Sequence, residues 1–249
     1  MKQIKQYVFV IFLVCVFSIP LSAGLTWQLD IESGYVMSGY NNVQIPRDTG
    51  TRLSLKDDLD IKGKIYDRIR LNVLIGQKHA LSLLYAPLSL KADGVLGKPV
   101  IFEGVEFPAG SDVDALYRFN SYRLTYRYRL LGKPKFALWI GLTGKIRDAE
   151  IKISSPTLVS SKTNVGFVPL FHLLMDWKWG EKSGLLFDAD AAAAKQGRAE
   201  DVSAAVYYNI NDFWTIKGGY RFVEGGADVE EVYNFAFIYY FYAGIVLNF

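Results

Sequence analysis

Residues 122–130 read Tyr-Arg-Leu-Thr-Tyr-Arg-Tyr-Arg-Leu, and their strict alternation decides the fold. Every even position holds Tyr or Leu, whereas every odd position holds Arg or Thr. Successive side chains of a β-strand point to opposite faces, so a period of two indicates a strand and not a helix. The stretch therefore predicts a strand with one apolar, aromatic face and one largely cationic face.

The same alternation recurs along the chain after residue 24. The runs that show it cover residues 25–37, 64–75, 80–90, 122–130, 136–147, 167–179, 185–191, 201–209, 214–222 and 232–249. Short breaks at 76–79, 132–135, 180–184 and 209–212 alternate with other connections, of which the first two, 38–63 and 91–117, are long. The helical period is nearly absent, and no stretch reaches the roughly 18 apolar residues of a transmembrane helix. This pattern predicts an antiparallel up-and-down sheet.

The composition narrows the class of protein. The chain has 249 residues, 51% of them hydrophobic and 21% charged, and its mean hydropathy is +0.13. These values are too apolar for a disordered chain and too polar for a bundle of transmembrane helices. With one Cys and two His, and with no phosphate-loop or dinucleotide motif, we expect no metal and no cofactor. Two classes of protein therefore remain compatible with the composition: a soluble all-β protein and a membrane protein without helices.

The N-terminus has the three parts of a secretory signal peptide. Lys2 and Lys5 precede an apolar run over residues 7–17, and small residues then lead to a cleavage site. A membrane anchor would need about 20 apolar residues, which is well beyond the length of this run. We therefore predict a signal peptide over residues 1–23 and a barrel domain over residues 24–249. Cleavage would also lower the formal charge of +3, which leaves no charge argument for a nucleic-acid partner.

Alternation alone does not tell which face of the strands is buried. In a soluble barrel the apolar face points inward, whereas in an outer-membrane barrel it faces lipid. Three features favour the membrane: aromatic residues are dense on the apolar faces, several Trp lie at strand ends, and short and longer connections alternate. A soluble β-sandwich or a lipocalin-like barrel is the alternative.

The last run carries a further signal. One parity holds Tyr239, Phe241, Ile245, Leu247 and the final Phe249, with small Ala243 as its weak member. In this the sequence resembles Gram-negative outer-membrane β-barrel proteins, whose terminal strand alternates aromatic and aliphatic residues and ends in Phe. The resemblance implies an all-β, transmembrane, antiparallel up-and-down β-barrel in the cell outer membrane, in contact with lipid and lipopolysaccharide. It also implies that the barrel assembly machinery recognises the strand ending at Phe249.

The runs predict about ten strands. Ten is an even number, as closure with both termini on the periplasmic side requires. Eight or twelve strands stay open, because the long connections contain short apolar runs at residues 51–55 and 100–107. We interpret these runs as hairpins that extend the wall above the membrane, since neither reaches the roughly 9–11 residues of a crossing strand.

The face opposite the apolar one is unusually charged, and a closed barrel would enclose it. The candidate binding residues on this face are Arg68, Arg70, Arg123, Arg127, Arg129, His172, Asp176, Asp188, Asp190 and Arg221. Further inward positions include Asp30, Glu32, Lys145, Arg147 and Lys217. About ten strands enclose a lumen that such side chains can nearly fill. We favour a polar plug of paired charges over a narrow pore or pocket whose arginines bind anionic small solutes.

The function indicated is non-catalytic: a narrow or plugged barrel for the passage or binding of a small solute, or for structural support. The alternative is an outer-membrane hydrolase, either omptin-like or acting on lipid A. Omptin proteases, which the chain resembles in having ten strands, use an Asp–His pair and an Asp pair, and lipid A deacylases use His and Ser. His79 falls in a periplasmic turn, and His172 is too far along an extended strand from Asp176 for direct contact.

Two polar connections are expected to project outside the cell. They cover residues 41–50 and 91–114 and are rich in Gly, Pro and Asp or Asn. We expect solvated loops there, with Arg47, Arg52 and Lys98 available to lipid phosphates.

Overall fold

The computed structural model of the chain describes residues 24–249. The predicted signal peptide over residues 1–23 lies outside them and stays a prediction. In chain order the strands are β1 (Leu25–Gln44), β2 (Leu53–Ser54), β3 (Asp60–Ile61), β4 (Lys64–Ile75), β5 (His79–Ala86), β6 (Ser89–Val95), β7 (Val100–Phe102), β8 (Val105–Phe107), β9 (Asp112–Lys133), β10 (Phe136–Ser154), β11 (Val159–Lys178), β12 (Ser183–Ala194), β13 (Gly197–Asn209), β14 (Trp214–Val229) and β15 (Val232–Asn248). Within the described range, no helix has the length and hydropathy to cross a membrane.

Ten of these strands form a closed antiparallel barrel, which confirms the predicted fold. Their order around the wall is β1, β4, β5, β9, β10, β11, β12, β13, β14, β15 and back to β1. The first and last strands meet at the closure, where the backbones of Trp27 and Phe249 exchange hydrogen bonds of 2.7 and 2.9 Å. Closure leaves no unpaired edge among these ten strands, which is the condition for a sheet in hydrocarbon.

The strand parity matches a membrane barrel and not a soluble one. Outward-facing Leu142 and Phe171 are 62% and 74% exposed, whereas inward-facing Arg123 and Arg221 are 5% and 2% exposed. An apolar belt of this kind around a closed barrel faces lipid, because water would leave so many large side chains unburied. The location in an outer membrane is confirmed by this belt together with the barrel architecture.

The two long connections form two kinds of structure at the outer end of the barrel, namely strands added to the wall and a separate hairpin. β6 pairs with the first part of β9, and β3 pairs with β6, so these strands extend the wall. The interpretation of residues 100–107 as a hairpin that extends the wall is wrong, because this hairpin does not pair with the wall. β7 and β8 pair only with each other, through a two-residue turn in which Glu103 and Gly104 have φ of 47° and 75°. Positive φ at both turn positions gives a type I′ turn, whose twist suits a short hairpin.

The β7–β8 hairpin closes the outer mouth of the barrel. Its backbone bonds the first long connection, since Glu103 N–H donates to the Ile45 carbonyl at 2.9 Å and Thr51 N–H donates to the Ile101 carbonyl at 2.8 Å. Phe102 and Phe107 are 1% and 0% exposed, and they pack among inward-facing residues of the wall. The expectation of solvated loops is therefore wrong for residues 100–107. It is also wrong for residues 41–45, where Asn41, Val43 and Ile45 are 0% exposed. The apolar residues of the hairpin are instead removed from water, because they pack inside the barrel.

Candidate functional site

The barrel interior is filled by three successive layers. The inner layer, at the periplasmic end, contains Leu74, Ala80, Ala137, Trp139, Leu174 and Leu186. The charged layer, at membrane level, contains Asp30, Glu32, Arg68, Arg70, Arg123, Arg127, His172, Asp188, Asp190, Asp201, Lys217 and Arg221. The outer core, under the β7–β8 hairpin, contains Val36, Val43, Ile45, Leu53, Leu55, Leu90, Val100, Phe102, Phe107, Val113, Ile153 and Ile238.

Asp201 is the centre of the charged layer. Its carboxylate lies 2.6 Å from a guanidinium nitrogen of Arg123, 2.6 Å from one of Arg221 and 3.2 Å from one of Arg68. These arginines stand on β9, β14 and β4, so one carboxylate on β13 joins strands from several sides of the wall. A buried charge is stable only when its hydrogen-bonding capacity is met, and here each partner supplies part of it.

A second group of charges lies beside the barrel closure. The Lys217 ammonium lies 2.7 Å from Asp30 and 2.7 Å from Glu32. One guanidinium nitrogen of Arg221, Nη2, donates to both oxygens of Glu32 at 3.1 Å, while Nη1 donates to Asp201. Tyr242 covers this group, with its ring centroid 5.6 Å from the Lys217 ammonium. The first strand therefore supplies carboxylates to cations of β14.

A third group surrounds His172. Its Nδ1 lies 2.9 Å from Asp190, and the other Asp190 oxygen accepts from Arg123 at 2.7 Å. The Thr143 hydroxyl donates to Asp190 at 2.7 Å, and Arg70 donates to the neighbouring Asp188. Asp188 and Asp190 thus both face the interior beside arginines: Arg70 pairs with Asp188, and Arg123 pairs with both Asp190 and Asp201.

Three of the predicted residues lie apart from these ion pairs. Arg127 donates to the Asn72 side chain at 3.1 Å, and Arg129 lies with its guanidinium carbon 5.4 Å from the Trp139 ring centroid. Asp176 accepts from the Tyr207 hydroxyl at 2.7 Å and does not contact His172, as the strand spacing predicted. Among the described residues, no carboxylate forms an ion pair with Arg127 or Arg129.

Sequence reasoning missed Asp201, although the signal was present. Val202 and Val206 of the eighth run have the outward parity, so Asp201 at its start has the inward one. The residue was overlooked because it stands at the edge of the run, where parity is least secure. Glu32 and Lys217 were recognised as inward positions but were left out of the candidate set, and the structure gives them central contacts.

The arrangement around His172 meets only one of the conditions for catalysis. A general base must lie within hydrogen-bond reach of its partners, and His172 does reach Asp190. However, His172 is 4% exposed, and the outer core separates the charged layer from the cell exterior. Residues 24–249 form no open, outward-facing cleft at His172. A large external substrate therefore has no access to His172.

Comparison with known proteins supports the fold and nothing finer. No protein-family model matches the sequence, and no curated protein matches it. Among solved structures, the outer membrane protease OmpT of Escherichia coli is similar over 92% of this chain and 99% of its own, with a TM-score of 0.50 and 14% identity. The chain has an outer-membrane β-barrel fold. At this identity the likeness carries no activity from OmpT to this barrel.

Two further solved barrels are similar at lower scores. An outer membrane channel from Pseudomonas putida F1 matches 92% of the chain and 97% of its own length, with 9% identity and a TM-score of 0.45. The attachment invasion locus protein Ail of Yersinia pestis matches 89% and 98%, with 10% identity and a TM-score of 0.36. At these scores the two likenesses carry no conclusion about this chain.

Proposed function

We propose that this protein is a sealed, non-catalytic outer-membrane barrel that serves structural support and binding at its outer surface. The observation that carries the proposal is the three-layer filling of the interior. Two apolar layers enclose a charged layer whose ions are mostly paired with one another. Passage of a solute would require breaking these layers one after another.

The charged layer supports the seal because most of its charges are paired. The five carboxylates of Asp30, Glu32, Asp188, Asp190 and Asp201 form ion pairs with Arg68, Arg70, Arg123, Lys217 and Arg221, and the further cations Arg127 and Lys145 are 5% and 3% exposed. A passing anion would have to compete with carboxylates already held at hydrogen-bond distance by the same arginines. The apolar layers add a second barrier, since a hydrophobic constriction excludes water and hydrated ions.

Conductance distinguishes the sealed barrel from the pore. We expect the purified protein, inserted into planar lipid bilayers, to give no stepwise conductance above the leak of the bare bilayer. Insertion is verified independently by the faster electrophoretic migration of the unheated, folded barrel recovered from the same vesicles. Reproducible steps of current from the inserted wild-type protein would contradict the proposal and favour a narrow channel.

Assembly through the last strand is a separate proposal on the same chain. Phe249 directly follows β15, and its backbone exchanges two hydrogen bonds with Trp27 of β1. Replacement of Phe249 with Ser is expected to reduce the amount of folded barrel in cell membranes several-fold, because the terminal aromatic would be missing from the signal. The same variant refolded from urea into vesicles should fold with a yield close to that of the wild type, and equal losses in both assays would mean that Phe249 acts only in packing.

A further inference from the structure

Arginines and aromatic rings meet on the outward face of the barrel near its outer end. We call this the arginine–aromatic patch and define it by Arg47, Arg52, Arg198, Tyr233 and Phe235. The guanidinium carbon of Arg52 lies 4.3 Å from the Tyr233 ring centroid, that of Arg47 lies 5.5 Å from the same ring, and that of Arg198 lies 5.1 Å from the Phe235 ring. Each ring thus orients at least one cation.

Neighbouring acidic groups fix these arginines without neutralising all of them. Arg198 donates to both oxygens of Glu224 at 2.7 and 2.8 Å. Arg47 donates to Asp228 at 2.6 Å, and this hydrogen bond raises the pKa of Arg47. Arg52 donates to the Tyr233 hydroxyl at 2.5 Å, and no described carboxylate forms an ion pair with it. Arg52 is therefore the arginine of the patch that remains available to an anion.

A shallow, widely open cleft lies within the patch. Its volume is about 420 Å³, and it is lined by Tyr40, Asn42, Arg198, Tyr233 and Phe235. A cleft of this size accommodates a sugar phosphate group. Because guanidinium groups present planar pairs of N–H donors, they suit phosphate better than other basic side chains do.

An aromatic column connects the patch with the lipid-facing belt. On β15, the ring centroids of Phe237 and Tyr239 lie 6.0 Å apart, and those of Tyr239 and Phe241 lie 6.3 Å apart. Phe241 is 54% exposed and faces lipid. The patch therefore lies at one end of an apolar path that descends along the outside of the same strand.

The height of the patch corresponds to the headgroup region of the outer leaflet. On β9 and β10, outward positions change from apolar Tyr122 and Ile146 to polar Asn120 and Asp148, which marks the upper edge of the belt. The patch continues beyond Tyr239 in the direction of the outer end, so it lies just above that edge. Aromatic and basic residues at this level meet headgroups and not acyl chains.

We propose that the arginine–aromatic patch binds one phosphorylated glycolipid of the outer leaflet. Arg52, with Arg47 and Arg198 beside it, holds the phosphate, and the sugar occupies the cleft. The acyl chains follow the aromatic column down β15. Continuity with the lipid belt selects a membrane lipid over a soluble phosphate, because only a lipid would use the column. The inference depends on the membrane location and not on whether the lumen conducts.

Detergent-solubilised protein titrated with bisphosphorylated lipid A tests this proposal. We expect the wild type to bind the lipid and to gain thermal stability, and Arg52→Gln to bind it about tenfold more weakly, as the loss of a charge-assisted hydrogen bond implies. Arg52→Lys should recover part of the affinity. Arg118→Gln is the matched control, because Arg118 also faces outward and pairs with carboxylates, but on distant β9.

The lipid itself supplies the other comparison. Dephosphorylated lipid A should bind the wild type about as weakly as the bisphosphorylated form binds Arg52→Gln, and millimolar inorganic phosphate should not displace the lipid. Equal affinity of Arg52→Gln and wild type would overturn the proposal, as would equal affinity for lipids with and without phosphate. Full displacement by inorganic phosphate would overturn it in favour of a site for a soluble anion. None of these outcomes bears on conductance, so this inference and the proposed function can fail separately.

Discussion

Replacement of Asp201 with Asn is expected to lower the free energy of unfolding of the barrel by about 3–5 kcal/mol, the usual cost of removing one partner from a buried ion group. Arg68, Arg123 and Arg221, whose side chains are at most 5% exposed, would lose the carboxylate that they share. The amide of Asn accepts hydrogen bonds but carries no charge, so the excess of buried positive charge remains. Urea unfolding in phospholipid vesicles, followed by tryptophan fluorescence, measures the effect.

Asp148→Asn provides the matched control for that measurement. Asp148 pairs with Arg118 at 3.2 Å on the outer face, where the two side chains are 30% and 27% exposed. Exposed ion pairs contribute between zero and about 1 kcal/mol, so this variant should unfold close to the wild type. If both variants lost the same stability, the charged layer would be solvated, and the sealed interior would be wrong.

Replacement of Phe107 with Ala is the second change with a large expected effect. Phe107 is 0% exposed in the outer core, and removal of a buried Phe side chain costs about 3–5 kcal/mol through lost burial and the cavity left behind. The β7–β8 hairpin would lose its anchor and open locally before the barrel unfolds. We therefore expect a protease added from outside to cut within residues 96–111 of the variant and to leave the wild type intact.

Val95→Ala separates this effect from a general response of the connection. Val95 ends β6 and is 62% exposed, so its truncation should change stability by less than about 0.5 kcal/mol and should not admit the protease. Cleavage of the wild type and of both variants at similar rates would mean that the hairpin does not close the mouth.

The strands of the barrel could be predicted from the sequence because a period of two is a local property. In residues 122–130 apolar and polar residues alternate strictly, so each position indicates which face the next one occupies. The structure has the same alternation in β9. The prediction that the apolar face points outward to lipid, and the charged face inward, also followed from local features, namely aromatic density and the alternation of connection lengths. Such features do not depend on which strands lie opposite each other.

Which charged side chains pair with each other inside the lumen cannot be read from any single run of the sequence. Arg123 meets Asp201 across the barrel because strand tilt and stagger bring β9 and β13 to one height, and stagger is a property of the closed sheet. The outer core was missed for a related reason. Phe102 and Phe107 stand in a segment punctuated by Gly and Pro, which resembles an exposed loop until a concave wall is present to receive it.

The closure of the barrel has a consequence for how the chain folds. Lys217 bonds Asp30 across 187 residues, and Arg221 bonds Glu32 across 189. Contacts between such distant parts of a chain form late, because a long loop must close first. Until β14 and β15 arrive, the carboxylates of β1 have no cations and cannot leave water at low cost. The same charges that pair inside the finished barrel therefore oppose stepwise insertion, and they make entry into the membrane a single event that waits for the whole chain.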